Sequence, residues 1–441
     1  MKTPSAPSRI QTEPATLARR VKNGVVDYAA HLGLFSRNAR LYLFGSFLMG
    51  INFQVFMLLL NLMLKEMGFV ESEIGLVASS RAIGMSCIAI PAGILMSRIR
   101  LKPILLVGCA LFGLFSFFIA TSQQLYLLLG FSVLSGMAFS IYRVAAAPFY
   151  MRNTTPLERT YVFSFSFGTN LLAGIIGAAT AGRIAAVIGE RTGDMVFGYQ
   201  CTLFIGIGVS LLALIPFLLI RSAPPSKEEN RISLTHTQFH RRGRFYAKVF
   251  FTNFMVGLGA GLIIPFLNLY FRDRFELPPD TIGLYYSVVH FSMLAGSLAS
   301  PVLVKRYGLV RTVVVAQLAS MPFMLLLSYT YWLPLAFVAF VIRGGLMNLG
   351  VPLITNLGME LAEQEEHGLV GALLMVGWTS SWMLSTAVGG SLIEHYGYTL
   401  TMNITICVYL LSSAAFFLFF RRAESRSESG RGWQYAREEA A

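Results

Sequence analysis

Charge is what this 441-residue sequence has least of. Asp, Glu, Lys and Arg make up only 13% of it, roughly half the share of an average soluble domain. Acidic residues are the scarcer kind, 22 against 35 Lys and Arg, which leaves a formal net charge of +13. With 55% hydrophobic residues, so little charge excludes both a soluble globular domain and a disordered chain. The four cysteines, Cys87, Cys109, Cys201 and Cys407, sit singly in apolar stretches. They lack the spacing of a zinc site, a redox pair or a disulfide framework, and read as small buried thiols. The first 40 positions are basic and hold no early apolar run, so no signal peptide is expected. The spacing of a P-loop is missing, as is any nucleophile–base or metal constellation. No enzyme, cofactor or metal is therefore expected.

Long apolar runs are what the chain has in abundance. A hydrocarbon core of about 30 Å needs roughly 20 apolar helical residues. Twelve such stretches follow one another, the first opening at Leu41 and the last closing at Phe420. If the N-terminus lies inside, the inner segments hold 27 of the 35 basic residues and the outer connections hold 5. That asymmetry predicts two cytoplasmic termini in a plasma membrane protein and assigns the surplus charge to lipid anchoring, with no nucleic-acid partner. The stretch Leu17–Leu34 mixes basic and aliphatic residues, as an interfacial helix does, though a solvated tail reads the same way.

The longest polar interruption divides the spans six and six. The expected organisation is a basic tail (1–40), a six-helix bundle (41–220), a cytoplasmic loop (221–244), a second bundle (245–420) and a tail (421–441). A weak repeat crosses the divide at an offset of 208 residues. Ile74-Gly75-Leu76 maps onto Ile282-Gly283-Leu284, Arg98 onto Arg306 and Gly182 onto Gly390, while Asn61 and Asn268 match within one residue. Parallel six-span repeats are a transporter construction, with the substrate held between the halves. The fold class is therefore all-α and polytopic, twelve transmembrane helices in two pseudo-symmetric six-helix bundles.

Between spans two and three the chain reads Gly93-Ile-Leu-Met-Ser97-Arg98-Ile-Arg100-Leu-Lys102. The second-half counterpart is Pro301-Val-Leu-Val-Lys305-Arg306-Tyr-Gly308-Leu-Val-Arg311. With these loops and spans the chain resembles the major facilitator superfamily, whose signature there is G-x-x-x-D-R-x-G. The resemblance implies alternating access and a gating role for Gly93, Arg98, Arg306 and Gly308. Ser97 and Lys305 stand where the family has an aspartate, so the acidic half of that latch is missing. The span-five signature associated with antiporters is poorly matched, since Ile175 follows Gly174 where proline is expected.

None of the 22 acidic residues falls deep within a span, whereas Arg81, Arg143, Arg343 and His290 do. An intramembrane charge costs about 2.5–3.5 kcal/mol or more, which makes each arginine a functional candidate by default. The resemblance places spans one, four, seven and ten around the central cavity. Arg343 and Arg143 then become candidate ligands for a carboxylate or phosphate, with Asn52, Asn268, Asn348, Trp378 and Trp382 beside them. The alternative is that each arginine bonds carbonyls freed near Pro352 or Pro148 and fixes a bent helix. For Arg81 a structural or gating role is expected. His290 is the one deep side chain whose ordinary pKa lies near neutrality, and it reads as a proton relay or as a hydrogen-bonded neutral ring. The reading is a monomeric secondary or facilitative transporter of a small organic solute, anionic or amphipathic, acting within the lipid bilayer. Alternatives are proton-coupled efflux of drugs or metabolites, and a non-transporting receptor or scramblase.

Overall fold

The computed structural model describes residues 35–221, 242–362 and 366–428. The basic tail, most of the central loop and the end of the C-terminal tail lie outside them. Among the described residues the chain is helical, without strands. The helices are apolar on nearly every side, which suits a solvent that cannot satisfy backbone N–H and C=O groups.

Helices α1 (Arg37–Glu66), α2 (Glu71–Arg98), α3 (Leu101–Thr121), α4 (Leu125–Asn153) and α5 (Pro156–Thr192) follow one another with short turns. α6 runs Met195–Leu212 and continues as Leu214–Leu219. Local chemistry sets several ends. Ser36 caps α1 by accepting from the Ala39 N–H, Gly193 closes α5 at φ 69°, and Asp194 caps α6 by accepting from the Phe197 N–H. α7 runs Gly243–Ile263, tightens into a 3-10 turn at Ile264–Phe266 and resumes as Leu267–Phe275. Pro265, which has no N–H to give, sits in that turn. α8 (Pro279–Tyr307), α9 (Leu309–Tyr329) and α10 (Leu333–Leu361) complete the next three passes.

Eleven helices are long and apolar enough to cross a membrane among the described residues, and the last of them, Leu369–Arg421, has 53 residues. As one rod it would be roughly 80 Å long, more than twice a hydrocarbon core. It is two helices. Gly397, at φ 79° and ψ 175°, interrupts it, giving α11 (367–396) and α12 (398–428). Their directions differ accordingly. α11 runs parallel to α7, with Asn253 meeting Leu374 and Gly261 meeting Ser385. α12 runs antiparallel to α9, with Ser413 bonded to Gln317 and Thr399 to Ser328. Twelve passes result.

The two sets of six pack alike. In the first, α1 packs on α5 and α6, α4 on α2 and α3, and α3 on α6; α7 to α12 repeat the scheme. The offset of 208 survives at atomic detail. Gly84 meets the Val133 carbonyl where α2 crosses α4, and Ser292 donates to the Val341 carbonyl where α8 crosses α10. The sets meet through α2 against α11 and α5 against α8.

That interface is a seal on one side of the molecule. Gly75 packs on Gly390 and Gly283 on Gly182, so closely that a Cβ on Gly75 would lie 3.2 Å from the Gly390 Cα. Asn61 donates to the Pro265 carbonyl and Asn268 to the Leu58 carbonyl. Arg272 pairs with Glu66 across the same side. Helix starts and ends bearing Arg37, Arg152, Arg242 and Arg306 lie at the opposite, basic face.

Candidate functional site

On the basic side of the seal, between the two sets, lies a cavity of about 120 Å³ lined by residues of α1, α5, α7, α8 and α10. Its polar groups are Gln54, Tyr286, His290 and Arg343; the remaining lining is aliphatic, aromatic, Met, Pro or Gly. Apolar cavities of about 150 Å³ hold benzene, so this space is of the order of a small organic group. The Pro265 turn shapes its roof, because the helix bends there and presents Ile264, Pro265 and Leu267 together.

Arg343 is the charge in this cavity. It is 3% exposed, midway along α10. Its Nη2 donates to the Tyr409 hydroxyl at a long 3.4 Å, and Nε has no partner. The guanidinium stands 5.9 Å from the centre of the Tyr409 ring. It bonds no carbonyl near Pro352, and no carboxylate faces it among the described residues. A buried guanidinium with most of its donors unused is costly unless an anion completes it. Two parallel N–H groups suit a planar or tetrahedral oxyanion.

His290 of α8 lines the same cavity. Nδ1 lies 2.7 Å from the Tyr286 carbonyl, and a carbonyl only accepts, so Nδ1 carries the hydrogen. The other edge of the ring lies over Gly174 of α5, where a methyl group would collide with it.

The other arginines do not line the cavity. Arg143 is exposed on α4, 6.0 Å from the centre of the Phe139 ring, which stacks on Phe53. Arg81 is 8% exposed inside the first set, with its guanidinium 5.7 Å from the centre of the Phe56 ring and Nη2 without a partner.

The amides divide by helix face. Asn52 points to α6 and donates to Ser210 Oγ at 3.1 Å, away from the cavity. Asn268 is spent on the seal, and Asn348 reaches the Met293 carbonyl at 3.4 Å from beside the cavity. Trp378 and Trp382 lie one turn apart on α11 with ring centres 5.6 Å apart and planes tilted by 33°, and Trp378 packs near Tyr409, which holds Arg343. Gln54 and Tyr286 reach the cavity where Asn52 and the tryptophans do not.

At the loops that follow α2 and α8, Gly308 takes φ 83°, a conformation that glycine adopts without strain, and ends α8. Arg306 lies over the Tyr307 ring and makes no ion pair among the described residues. Gly93 has open surroundings, with only a Val144 methyl at 3.9 Å from a built Cβ. The Arg98 side chain lies outside the described set.

One buried cluster has no counterpart in the sequence reading. Arg242, at the start of α7, pairs with Glu366 and donates to the Leu361 carbonyl, while the Tyr246 hydroxyl donates to Glu366 at 2.6 Å. Both charges are nearly buried, at 6% and 3% side-chain exposure. No local pattern in the sequence links residues 124 apart.

Comparison with known proteins follows the architecture. A family model described as Major Facilitator Superfamily matches twice, over residues 42–248 and 249–439. No curated protein sequence matches the chain. Among solved structures, the nucleoside transporter NupG superposes with a TM-score of 0.69 at 17% identity, over 87% of this chain and 99% of that one. A bacterial homologue of the human lysosomal transporter Spinster, inward-facing and unoccupied, gives 0.70 at 13% identity, over 86% and 96%. The human organic anion transporter MFSD10 (TETRAN) gives 0.64 at 15% identity, over 86% and 98%. With a family match over both halves and the same helical architecture, this integral membrane protein belongs to the Major Facilitator Superfamily.

Proposed function

We propose that the chain carries a small organic anion across the membrane by alternating access, with Arg343 as the anion-binding residue. The observation that supports this reading is a buried guanidinium that lines the central cavity, has an unpartnered Nε and faces no carboxylate among the described residues. The mostly apolar lining and the volume of about 120 Å³ favour a compact aromatic or branched acid over a sugar. The excess of basic residues at one face supports a cytoplasmic assignment for that face and for both termini, in the plasma membrane. The cavity lies on the basic side of the seal, so the conformation is read as inward-facing. Each six-helix set then acts as one rocking body, and a single chain suffices as the working unit.

Thermal unfolding of the purified protein tests the assignment. Benzenesulfonate and benzoate are expected to raise Tm in proportion to occupancy, while benzyl alcohol is not. Arg343→Gln is expected to remove the shift. Equal stabilisation by the neutral alcohol, or an undiminished shift in Arg343→Gln, overturns the reading.

A further inference from the structure

We infer that Gln54 reads a second, neutral polar group on the transported anion, so that the substrates are compact monoanions bearing a hydroxyl apart from the acid. The inference rests on the anion reading of Arg343 and adds to it what else the ligand carries.

Three amide side chains lie deep in α1, and they differ in what they meet. Asn52 donates to Ser210 Oγ, and Asn61 donates to the Pro265 carbonyl. Gln54 makes no hydrogen bond among the described residues and lines the cavity instead. An amide without a partner in a low-dielectric interior is costly, and a ligand group that completes it removes the cost. The stem of the side chain is held in place. α5 passes so close to α1 at Gly177 that a Cβ there would lie 3.2 Å from the Gln54 Cβ. The carboxamide is the end left to meet a ligand.

The polar lining divides unevenly between the halves. Arg343, His290 and Tyr286 belong to the second, and Gln54 is the one polar side chain that the first half gives to this cavity. An anion held by Arg343 alone is bound to one half. A hydrogen bond to Gln54 ties it to the other, so the ligand favours the states in which the halves close on it.

The chemistry of an amide narrows the group it reads. Its oxygen accepts and its nitrogen donates, and it carries no charge. A hydroxyl matches both functions and adds little volume in a space of about 120 Å³. A second carboxylate does not suit, because no guanidinium or ammonium besides Arg343 lines the cavity to balance it.

Matched acids test this, because a hydroxyl and a methyl group are nearly the same size. Benzoate and its 3- and 4-hydroxy and 3- and 4-methyl derivatives are compared at neutral pH by equilibrium dialysis against purified full-length protein. Where a cavity offers the hydroxyl no partner, the methyl acids bind more tightly, since apolar area is buried and no polar group is stranded. Wild type is expected to reverse that order, with one hydroxybenzoate about two- to tenfold tighter than its methyl counterpart. Gln54→Leu is expected to bind benzoate as wild type does and to prefer the methyl acids. If that variant does not fold, Gln54→Asn, whose amide stops one methylene short, takes its place and is expected to lose the hydroxyl preference. Methyl acids at least as tight in wild type, or an undiminished hydroxyl preference in the folded variant, overturn the inference. Absent binding of every acid overturns the anion reading. The Gln54 contact is then decided with phenol and toluene. A wild-type preference for phenol that the variant loses supports it, and toluene binding as tightly as phenol overturns it.

Discussion

Asn61 and Asn268 clasp each other's helices. Asn61 of α1 donates to the Pro265 carbonyl at 2.6 Å, and Asn268 of α7 donates to the Leu58 carbonyl at 2.7 Å. They occupy equivalent places in the repeat, so one interaction is written twice about the axis relating the halves. The same holds for Gly75 against Gly390 and Gly283 against Gly182. Gly75, Gly182, Gly283, Gly390, Asn61 and Asn268, which help reveal the repeat in the sequence, also form the seal. Each half must offer the same surface to its partner, which accounts for both facts.

Removing one clasp should loosen the seal without unfolding either half. Asn61→Ala leaves the buried Pro265 carbonyl without its donor, a cost of about 1–3 kcal/mol to the sealed state. The equilibrium should move towards the conformation open on that side by at least severalfold. Distances between spin labels on the ends of α1 and α7 check this, and an unchanged distribution in Asn61→Ala and Asn268→Ala would refute it.

A methyl group at Gly182 should act more strongly, because it meets backbone. It would fall 3.0 Å from the Gly283 Cα and closer still to the Pro279 carbonyl, and neither can rotate away. Gly182→Ala is expected to expose Met57→Cys, in a background with the native cysteines replaced by serine, to an impermeant thiol reagent added from the sealed side. The parent protein should be protected from that side and reactive from the other.

Arg343→Gln should separate stability from function. An uncompensated buried cation costs the folded state free energy, so neutralising it should leave Tm unchanged or raise it while transport is lost. A structural arginine predicts the reverse, a fall in Tm with residual transport. Measuring both on one preparation decides between them.

Arg242→Ala should behave oppositely. Its removal strands Glu366 in a nearly dry site and should cost about 3–5 kcal/mol, read as a lower Tm. Adding Glu366→Gln should recover part of that loss, because the stranded charge is gone. Additive losses would show that the pair is not coupled.

The resemblance signalled by the loops Gly93–Lys102 and Pro301–Arg311 extends to the whole architecture, and the membrane passes from Leu41 to Phe420 all find helices. Reading α11 and α12 as separate spans was sound, although the helix is nearly continuous through Gly397. The polar residues were harder. Asn52 and Gln54 are two positions apart on α1, yet one bonds Ser210 and the other faces the cavity. Arg81 and Arg343 look alike as lone arginines in apolar helices, yet only Arg343 lines the cavity.

The sequence by itself determined the membrane as solvent, the number of passes, the face that gathers basic residues and the repeat that makes two halves. Hydropathy and charge act locally and add along the chain, so partition into a bilayer is readable without contacts. Only the tertiary structure decided which polar atoms share the cavity, which asparagines are spent on the seal and which arginine lines the cavity. A helix apolar on every side carries no stripe to say which way it turns. That orientation is set by contacts such as Gly75 on Gly390 and Asn61 on Pro265, made between residues far apart in the chain.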